Sequence, residues 1–355
     1  MRAFELGTVY GQGDGFVAIG YSDVHREFAA KLLVADAVLF TGGCGNRYQD
    51  STVLVLLNDT DAADSDGKEF DGEVISADSM QIYKGMDIST AKPSAEEMQG
   101  IPHHLIDFLE RDVSFSVADY VNLAKEKIAD ITERGKLPVI VGGTGLYISS
   151  LLDNIKFSES KGNDDYRREL SEFAALNGSE ALHSRLAEVD PEAASEIHPN
   201  NTVRVIRALE VCHETGRKFS QVKQEGRMTE KNYDSLIIGL TYSDRQVLYE
   251  RINKRVDLML EMGLVNEARA IWQESGLKTA ANAIGCKELI PYFENRESLE
   301  ACIDKIKQET RRYAKRQLTW FRKNEQIQWL MLDEIDETEK KIEKCKKVIA
   351  NHKKM

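Results

Sequence analysis

The chain has 355 residues, 42% hydrophobic and 30% charged, enough to bury one large core or two smaller ones. Its formal charge of −12 argues against a globally basic nucleic-acid-binding surface, although a local basic stripe can coexist with an acidic remainder. No window approaches the roughly 18 apolar residues of a membrane span, the segment MRAFELGTVYGQGDG lacks the apolar core of a secretory signal, and Cys44, Cys212, Cys286, Cys302 and Cys345 form no CxxC pair, so the chain reads as cytoplasmic, with reduced thiols and no zinc site.

Val53 to Leu57 (VLVLL) is the first run of strand character. Val74 and Ile75 read as a second, short buried strand, and Ser76, Asp78, Ser79 and Gln81 crowd polar groups at its carboxyl end, where open α/β sheets place their ligands. Phe115 to Arg134 is predicted to be an amphipathic helix, capped by Ser114 or Ser116 and closed near Gly135. Leu137 to Gly143 (LPVIVGG) has the continuous apolar character of a strand buried on both faces, and Gly142-Gly143-Thr144-Gly145 then turns the chain into another helix. This alternation predicts a parallel sheet with covering helices. Asp164 to Leu176, Ser179 to Val189 and Thr202 to Thr215 read instead as short charged helices broken by Gly, Pro and Asn, a helical insertion. Ser235 to Tyr242 restores a buried strand, helices follow over Asp244 to Met262 and Leu299 to Lys323, and the basic stretch Lys340 to Lys354 reads as a solvated helix. The divisions expected are 1–72, 73–157, 158–233, 234–332 and 333–355.

Several clusters can carry chemistry. An Asp after a strand is ordinarily a turn or cap residue, but Glu73 to Pro93, EVISADSMQIYKGMDISTAKP, is far more specific than that. Within it the Gln81 amide has the donor and acceptor to pair with an adenine edge. The glycines of GGTGLY, Gly142 to Tyr147, allow close backbone approach and free amides at a helix start, a pattern shared with plain tight turns. His103 and His104 are adjacent, so they cannot share a helical face as metal ligands, and a structural or hydrogen-bonding role is expected. Arg204 and Arg207 lie on one helical face, as do Arg251 and Arg255. Either of the latter pair can meet a diphosphate bidentately or join a surface network with Glu250 or Asp257. The densest basic segment is Thr310 to Lys323, TRRYAKRQLTWFRK, where Arg312, Lys315, Arg316 and Thr319 form a stripe beside Trp320 and Phe321. Such a helix suits phosphate contacts and base stacking, or it packs Leu318 and Trp320 inward and solvates its charges.

DSMQ, GIPHHLID (Gly100 to Asp107), GGTGLY, VRVIR, AIGCKE and KRQLTWFR together resemble the signature of tRNA dimethylallyltransferases, from Glu73 to about Leu332. The resemblance implies an α/β fold, a P-loop NTPase-like parallel sheet core with a helical insertion domain. It implies transfer of a dimethylallyl group from dimethylallyl diphosphate to N6 of adenosine 37, in tRNAs reading codons that begin with U. Asp78 takes the place of the family's general base. The implied tRNA contacts are Asp78, Ser79, Met80, Gln81 and Thr144 in the sheet motifs, and Arg167, Val203, Arg204, Val205, Ile206 and Arg207 in the insertion. Further on they are Ile284, Gly285, Cys286 (where a tyrosine is usual) and Lys287, then Lys315, Arg316, Gln317, Leu318, Thr319, Trp320, Phe321 and Arg322. Arg255, in preference to Arg251, matches a diphosphate contact. Mg²⁺ is the implied cofactor, the anticodon stem-loop the partner, and a cytoplasmic monomer the expected state.

The family's phosphate loop is missing. Gly67-Lys68 is preceded five positions earlier by Ala62 rather than glycine, and Glu69 replaces the required Ser or Thr. GGCGNRY, Gly42 to Tyr48, has no Gly-Lys-Ser/Thr ending. Asp59, Asp61, Asp64, Asp66, Glu69 and Asp71 put carboxylates where a polyphosphate should bind, with Lys68 the one cation among them. Each like-charge contact at ~4 Å costs on the order of 4 kcal/mol near a surface. Unrelated sequence beside an intact remainder is the pattern of an altered reading frame over residues 1–72. Two other readings stand beside the enzyme: a homologue that binds tRNA without transferring the group, and a free-nucleotide isopentenyltransferase. KRQLTWFR and VRVIR count against the last, because a mononucleotide needs no anticodon-stem contacts.

Overall fold

The computed structural model describes residues 72–98, 100–157, 163–227, 233–274, 277, 279–335, 340, 344–345 and 347–348, together with the backbone of 51–57. Among them are a sheet unit (72–113, 122–148, 232–274 and 277–348 in its described parts) and a helical unit (114–121 and the described part of 149–231).

The sheet unit is built on six strands, β1 (Ser51–Leu57), β2 (Gly72–Ser76), β3 (His103–His104), β4 (Leu137–Gly142), β5 (Tyr233–Thr241) and β6 (Gln328–Met331), in the order β3-β2-β4-β1-β5-β6. Every pairing is parallel. The two apolar runs recognised in sequence, β2 and β4, are buried at every residue, as expected of strands covered on both faces. VLVLL forms the central strand, in register with β4 through Leu54 and Val139 and with β5 through Val53 and Ser235. Val74, Val139, Ile238 and Leu330 pack with Leu248, Ile252 and Ala314 into the core of this unit.

β1 and β2 lie on either side of β4 in the sheet. A parallel crossover takes about a dozen residues or more, and residues 58–71 supply only fourteen. The acidic stretch itself, and Gly42 to Tyr48, lie outside the described residues.

Helix α1 (Val117–Glu133) begins at Ser116, not Ser114. Ser116 and Asp119 cap one another reciprocally: the Asp119 amide donates to Ser116 Oγ at 3.1 Å, and the Ser116 amide donates to Asp119 Oδ2 at 2.9 Å. The helix closes at Gly135, whose positive φ of 74° ends it in the left-handed conformation. Helix α2 (Gly145–Leu152) begins in the sheet unit and ends in the helical unit, which continues with α3 (Asp164–Asn177), α4 (Ser179–Val189), α5 (Pro191–Glu196), α6 (Thr202–Thr215) and α7 (Phe219–Arg227). Leu170, Leu182, Leu186, Val205 and Leu209 form the core of these helices. Buried Asp190 ties α5 to α7, accepting from the amides of Ala193 at 3.1 Å and Ser220 at 2.8 Å. The sheet unit continues through α8 (Arg245–Glu261), α9 (Leu264–Gln273), α10 (Ile290–Phe293) and α11 (Leu299–Phe321). Near the C-terminus Cys345 is fully buried and Val348 packs against the sheet core, so that stretch is not the solvated helix expected of its lysines.

Glu73 holds the amino end of β2. Its carboxylate, 2% exposed, receives both terminal nitrogens of Arg134, His104 Nε2 at 2.7 Å and Lys136 Nζ at 3.2 Å. One acid thus joins the ends of α1, β3 and β4, and His104 has the structural role its adjacency to His103 predicted. The Arg134 bonds, aided by His104 and Lys136 and opposed by burial, bring the Glu73 pKa to about 2. A depressed carboxyl stabilises the fold above its unfolded pKa and loses that contribution as pH falls toward the folded value. Glu73→Ala should cost about 2 kcal/mol in urea unfolding at pH 7, discounted for the partly exposed partners. The difference from the unaltered chain should shrink progressively below pH 4.5.

Candidate active site at the carboxyl ends of β2 and β4

β2 and β4 stay in register to Ser76 and Val141, and the ladder continues past both strands. The Ala77 amide donates to the Val141 carbonyl at 2.8 Å, and the Thr144 amide donates to the Ala77 carbonyl at 3.1 Å. This requires glycine at 142, because a Cβ there would lie 2.4 Å from the Ala77 carbonyl oxygen. The loops are stitched again by Thr144 Oγ1, which accepts from the Ser79 amide at 3.1 Å and donates to Ser79 Oγ at 3.3 Å. DSMQ and GGTG, 65 residues apart, therefore form one rigid rim.

Asp78 sits in this rim, fully buried. Its Oδ1 accepts from the amides of Met80 at 2.8 Å and Gln81 at 3.1 Å, while Oδ2 is buried with no hydrogen-bond partner among the described residues. Burial raises its pKa from 3.8 to about 6, against the opposing pull of the two amides. The carboxyl is thus fixed by one oxygen and unpartnered at the other, with its pKa raised to about 6.

α11 closes one side of the rim. Gln317 Nε2 donates to the Gly143 carbonyl at 3.0 Å. One turn earlier, buried Tyr313 hydrogen-bonds Gln317 and Thr144, and burial, then the nearby Asp78 charge, keep its phenol protonated. The motifs did not single out Tyr313; its spacing of four from Gln317, on the face opposite the basic stripe, was the available signal. The Trp320 ring lies against Gly145, where a Cβ would come within 2.6 Å of it. Leu318 packs against the sheet core.

The remaining candidates divide by burial. Gln81 is fully buried and spent: its Nε2 donates to the carbonyls of Thr90 at 3.1 Å and Ala91 at 3.2 Å, and its Oε1 accepts from Ser76 Oγ at 3.4 Å. It pins its own loop and has no amide left for an adenine edge. Met80, Ile284, Cys286 and Phe321 are 0–3% exposed and face the interior. Burial raises the Cys286 thiol to about 12, so it stays protonated. Gly285 adopts a φ of +92° and donates its amide to Glu288 at 2.9 Å, which shapes the loop beside half-buried Lys287. Lys315, Thr319 and Arg322 are exposed, and Arg316 lies 5.7 Å above the Tyr313 ring. Arg251 lies 5.3 Å from the Tyr242 ring, and Arg255 follows one turn later on α8, both half-buried.

In the helical unit Val205 and Ile206 serve the core, and Arg207 is buried rather than on a solvent face with Arg204. Arg207 and Arg167 both pair with fully buried Glu210, each at 2.5 Å. Burial pushes the Glu210 carboxyl up, but Arg167, the Asn163 amide and Arg207 hold it below its ordinary value. Those two arginines are charge partners within the unit; Val203 and Arg204 are half-buried at the start of α6.

The described residues do not build a Mg²⁺ site. They contain no group of three His, Cys, Asp or Glu side chains able to hold a metal. At the rim only Asp78 brings a carboxylate, and one of its oxygens is taken by two amides. Mg²⁺ needs near-octahedral oxygen ligation, and Glu69 stands where a phosphate loop would place its hydroxyl ligand.

Residues 81–324 match the family model described as IPP transferase. A tRNA dimethylallyltransferase of Geobacillus thermodenitrificans is 50% identical over 285 residues, covering 80% of this chain and 90% of that protein. One from Bacillus velezensis is 46% identical over 308 residues, covering 84% and 97%. The crystal structure of tRNA isopentenylpyrophosphate transferase from Bacillus halodurans superposes with a TM-score of 0.60 at 41% identity, over 86% of this chain and 97% of that one. A eukaryotic dimethylallyltransferase acting on tRNA gives 0.63 at 31% identity, over 77% and 70%. With a match spanning well over half its length and relatives at half identity, the chain belongs to the IPP transferase family.

Proposed function

We propose that this protein transfers the dimethylallyl group of dimethylallyl diphosphate to N6 of adenosine 37 in tRNA. The observation that carries the reading is Asp78: a rigid, buried carboxylate with one unpartnered oxygen and a pKa of about 6, at the sheet end where open α/β sheets place ligands. In the reaction the N6 lone pair forms a bond to C1 of the dimethylallyl group. The C1–O bond breaks, and its electron pair leaves on the diphosphate. The proton lost by N6 passes to Asp78 Oδ2. Arg255 and Arg251 on α8 are the proposed contacts for the departing charge. Lys315, Thr319 and Arg322 on α11, with Arg204 on α6, are the proposed RNA-facing groups, and Trp320 is the aromatic offered to an unstacked base.

A second reading is favoured by one specific observation, the fourteen-residue connection from β1 to β2 without a phosphate loop. On that reading the chain binds tRNA and does not transfer the group. Incubating the purified chain with unmodified tRNA and labelled dimethylallyl diphosphate separates the two. Incorporation of label supports the enzyme, whereas salt-sensitive tRNA binding without incorporation supports the binder.

If transfer proceeds through Asp78, kcat should fall about tenfold per pH unit below about pH 6, because only the ionised carboxylate accepts the proton. A flat acid limb down to pH 5 would remove Asp78 from the role. Asp78→Asn should lower kcat about 100- to 10,000-fold, the usual contribution of a general base.

The same variant has a stability signature. A carboxyl whose folded pKa lies above its unfolded value penalises folding once ionised. The cost is absent below pH 3.8, grows through the interval and is complete above about 6. Asp78→Asn should therefore be more stable than the unaltered chain at pH 8, by about 1–2 kcal/mol once its own unpaired amide is allowed for. Thermal melts at pH 8 and pH 4 should show that gain disappearing in acid.

A further inference from the structure

Glu267 on α9 belongs to none of the motifs. Its carboxylate nevertheless accepts from three successive backbone amides, Asp87 and Ile88 on Oε2 and Ser89 on Oε1, each at 2.8 Å. Charge-assisted bonds to three consecutive amides make a strong anchor for a turn. The anchored turn runs directly into Thr90 and Ala91, whose carbonyls receive the Gln81 side-chain amide at 3.1 and 3.2 Å. Gln81 in turn gives its backbone amide to Asp78 Oδ1 at 3.1 Å, beside that of Met80 at 2.8 Å. Hydrogen bonds and short covalent links therefore connect α9 to the carboxylate without a gap. Met80, Ile82 and Met86 in the same segment are fully buried. Lys92 braces its other leg through Asp87, Asp107 and the Tyr83 carbonyl.

We propose that Glu267 is a positioning residue for the transfer reaction: by seating the 87–89 turn it holds Gln81, and through Gln81 it fixes Asp78 with Oδ2 left unpartnered to take the proton of the amine. This rests on the reading of Asp78 as the base. Glu267 touches no reacting atom. Its effect belongs in kcat, because a carboxylate displaced by about 1 Å loses its alignment with the amine whether or not tRNA is bound.

The test uses the full chain, unmodified tRNA and dimethylallyl diphosphate. Glu267→Ala should lower kcat about tenfold or more, with KM for tRNA within about twofold. Glu267→Gln keeps one acceptor oxygen and should recover part of that loss. Gln81→Leu cuts the same chain further along, so combining it with Glu267→Ala should add little to the larger single effect. Multiplicative losses, or an unchanged kcat in Glu267→Ala, would overturn the proposal. Amide hydrogen exchange reads the same linkage without turnover. Glu267→Ala should speed exchange at Met80 and Gln81 as well as at residues 87–89, and a change confined to 87–89 would reduce Glu267 to a local loop anchor. Failure of the unaltered chain to transfer the group would instead count against the enzyme reading and leave the exchange result to decide the linkage.

Discussion

The site depends on the β2–β4 ladder continuing one step beyond its strands. Ala77 bonds Val141 and Thr144, and its carbonyl occupies the space a side chain at position 142 would need. Parallel strands in register deliver two loops to the same place, but they do not by themselves join them. The additional backbone bonds, and the Thr144 hydroxyl shared with Ser79, make two distant segments one rim. A rim fixed by backbone can hold a buried carboxylate with one oxygen unsatisfied, a group that would otherwise draw in water or a cation.

β2 carries acids of opposite character at its two ends. Glu73 is surrounded by Arg134, His104 and Lys136 and is driven to a pKa of about 2, while Asp78 meets only two amides and is driven to about 6. Both are buried, so burial alone does not set the outcome; the presence or absence of a cation does. The ion-paired end stabilises the sheet, and the end without a cation costs stability once ionised. The separation is one strand long, which lets the chain keep a strong ion-paired anchor without lowering the pKa of Asp78.

The basic residues sort in the same way. Arg134, Arg167 and Arg207 are committed to buried carboxylates and Lys92 to Asp87 and Asp107, whereas Lys315 and Arg322 are exposed on α11. An acidic protein can thus present a local basic stripe because many of its other cations are neutralised within its own units. On α11 one helix performs two tasks with its two sides. Tyr313 and Gln317 brace the rim, and the stripe of Lys315 and Thr319 faces outward.

The sequence by itself determined the family, the parallel α/β core and the position of Asp78. Apolar runs of strand length, rich in Val and Ile and bounded by Gly, are typical of strands covered on both faces, and a motif as long as EVISADSMQIYKGMDISTAKP is specific in its letters. It also determined the helices of the insertion, whose limits at Ser179, Val189, Thr202 and Thr215 are reproduced in the structure. Only the tertiary structure decided what each polar residue within a motif does. Gln81 is spent on Thr90 and Ala91, Arg207 on Glu210, Tyr313 meets Thr144, and Glu267 anchors the 87–89 turn from a segment far away in the chain. Side-chain partners are set by contacts across as many as 180 residues, whereas periodicity and motif spacing report only on neighbours along one element.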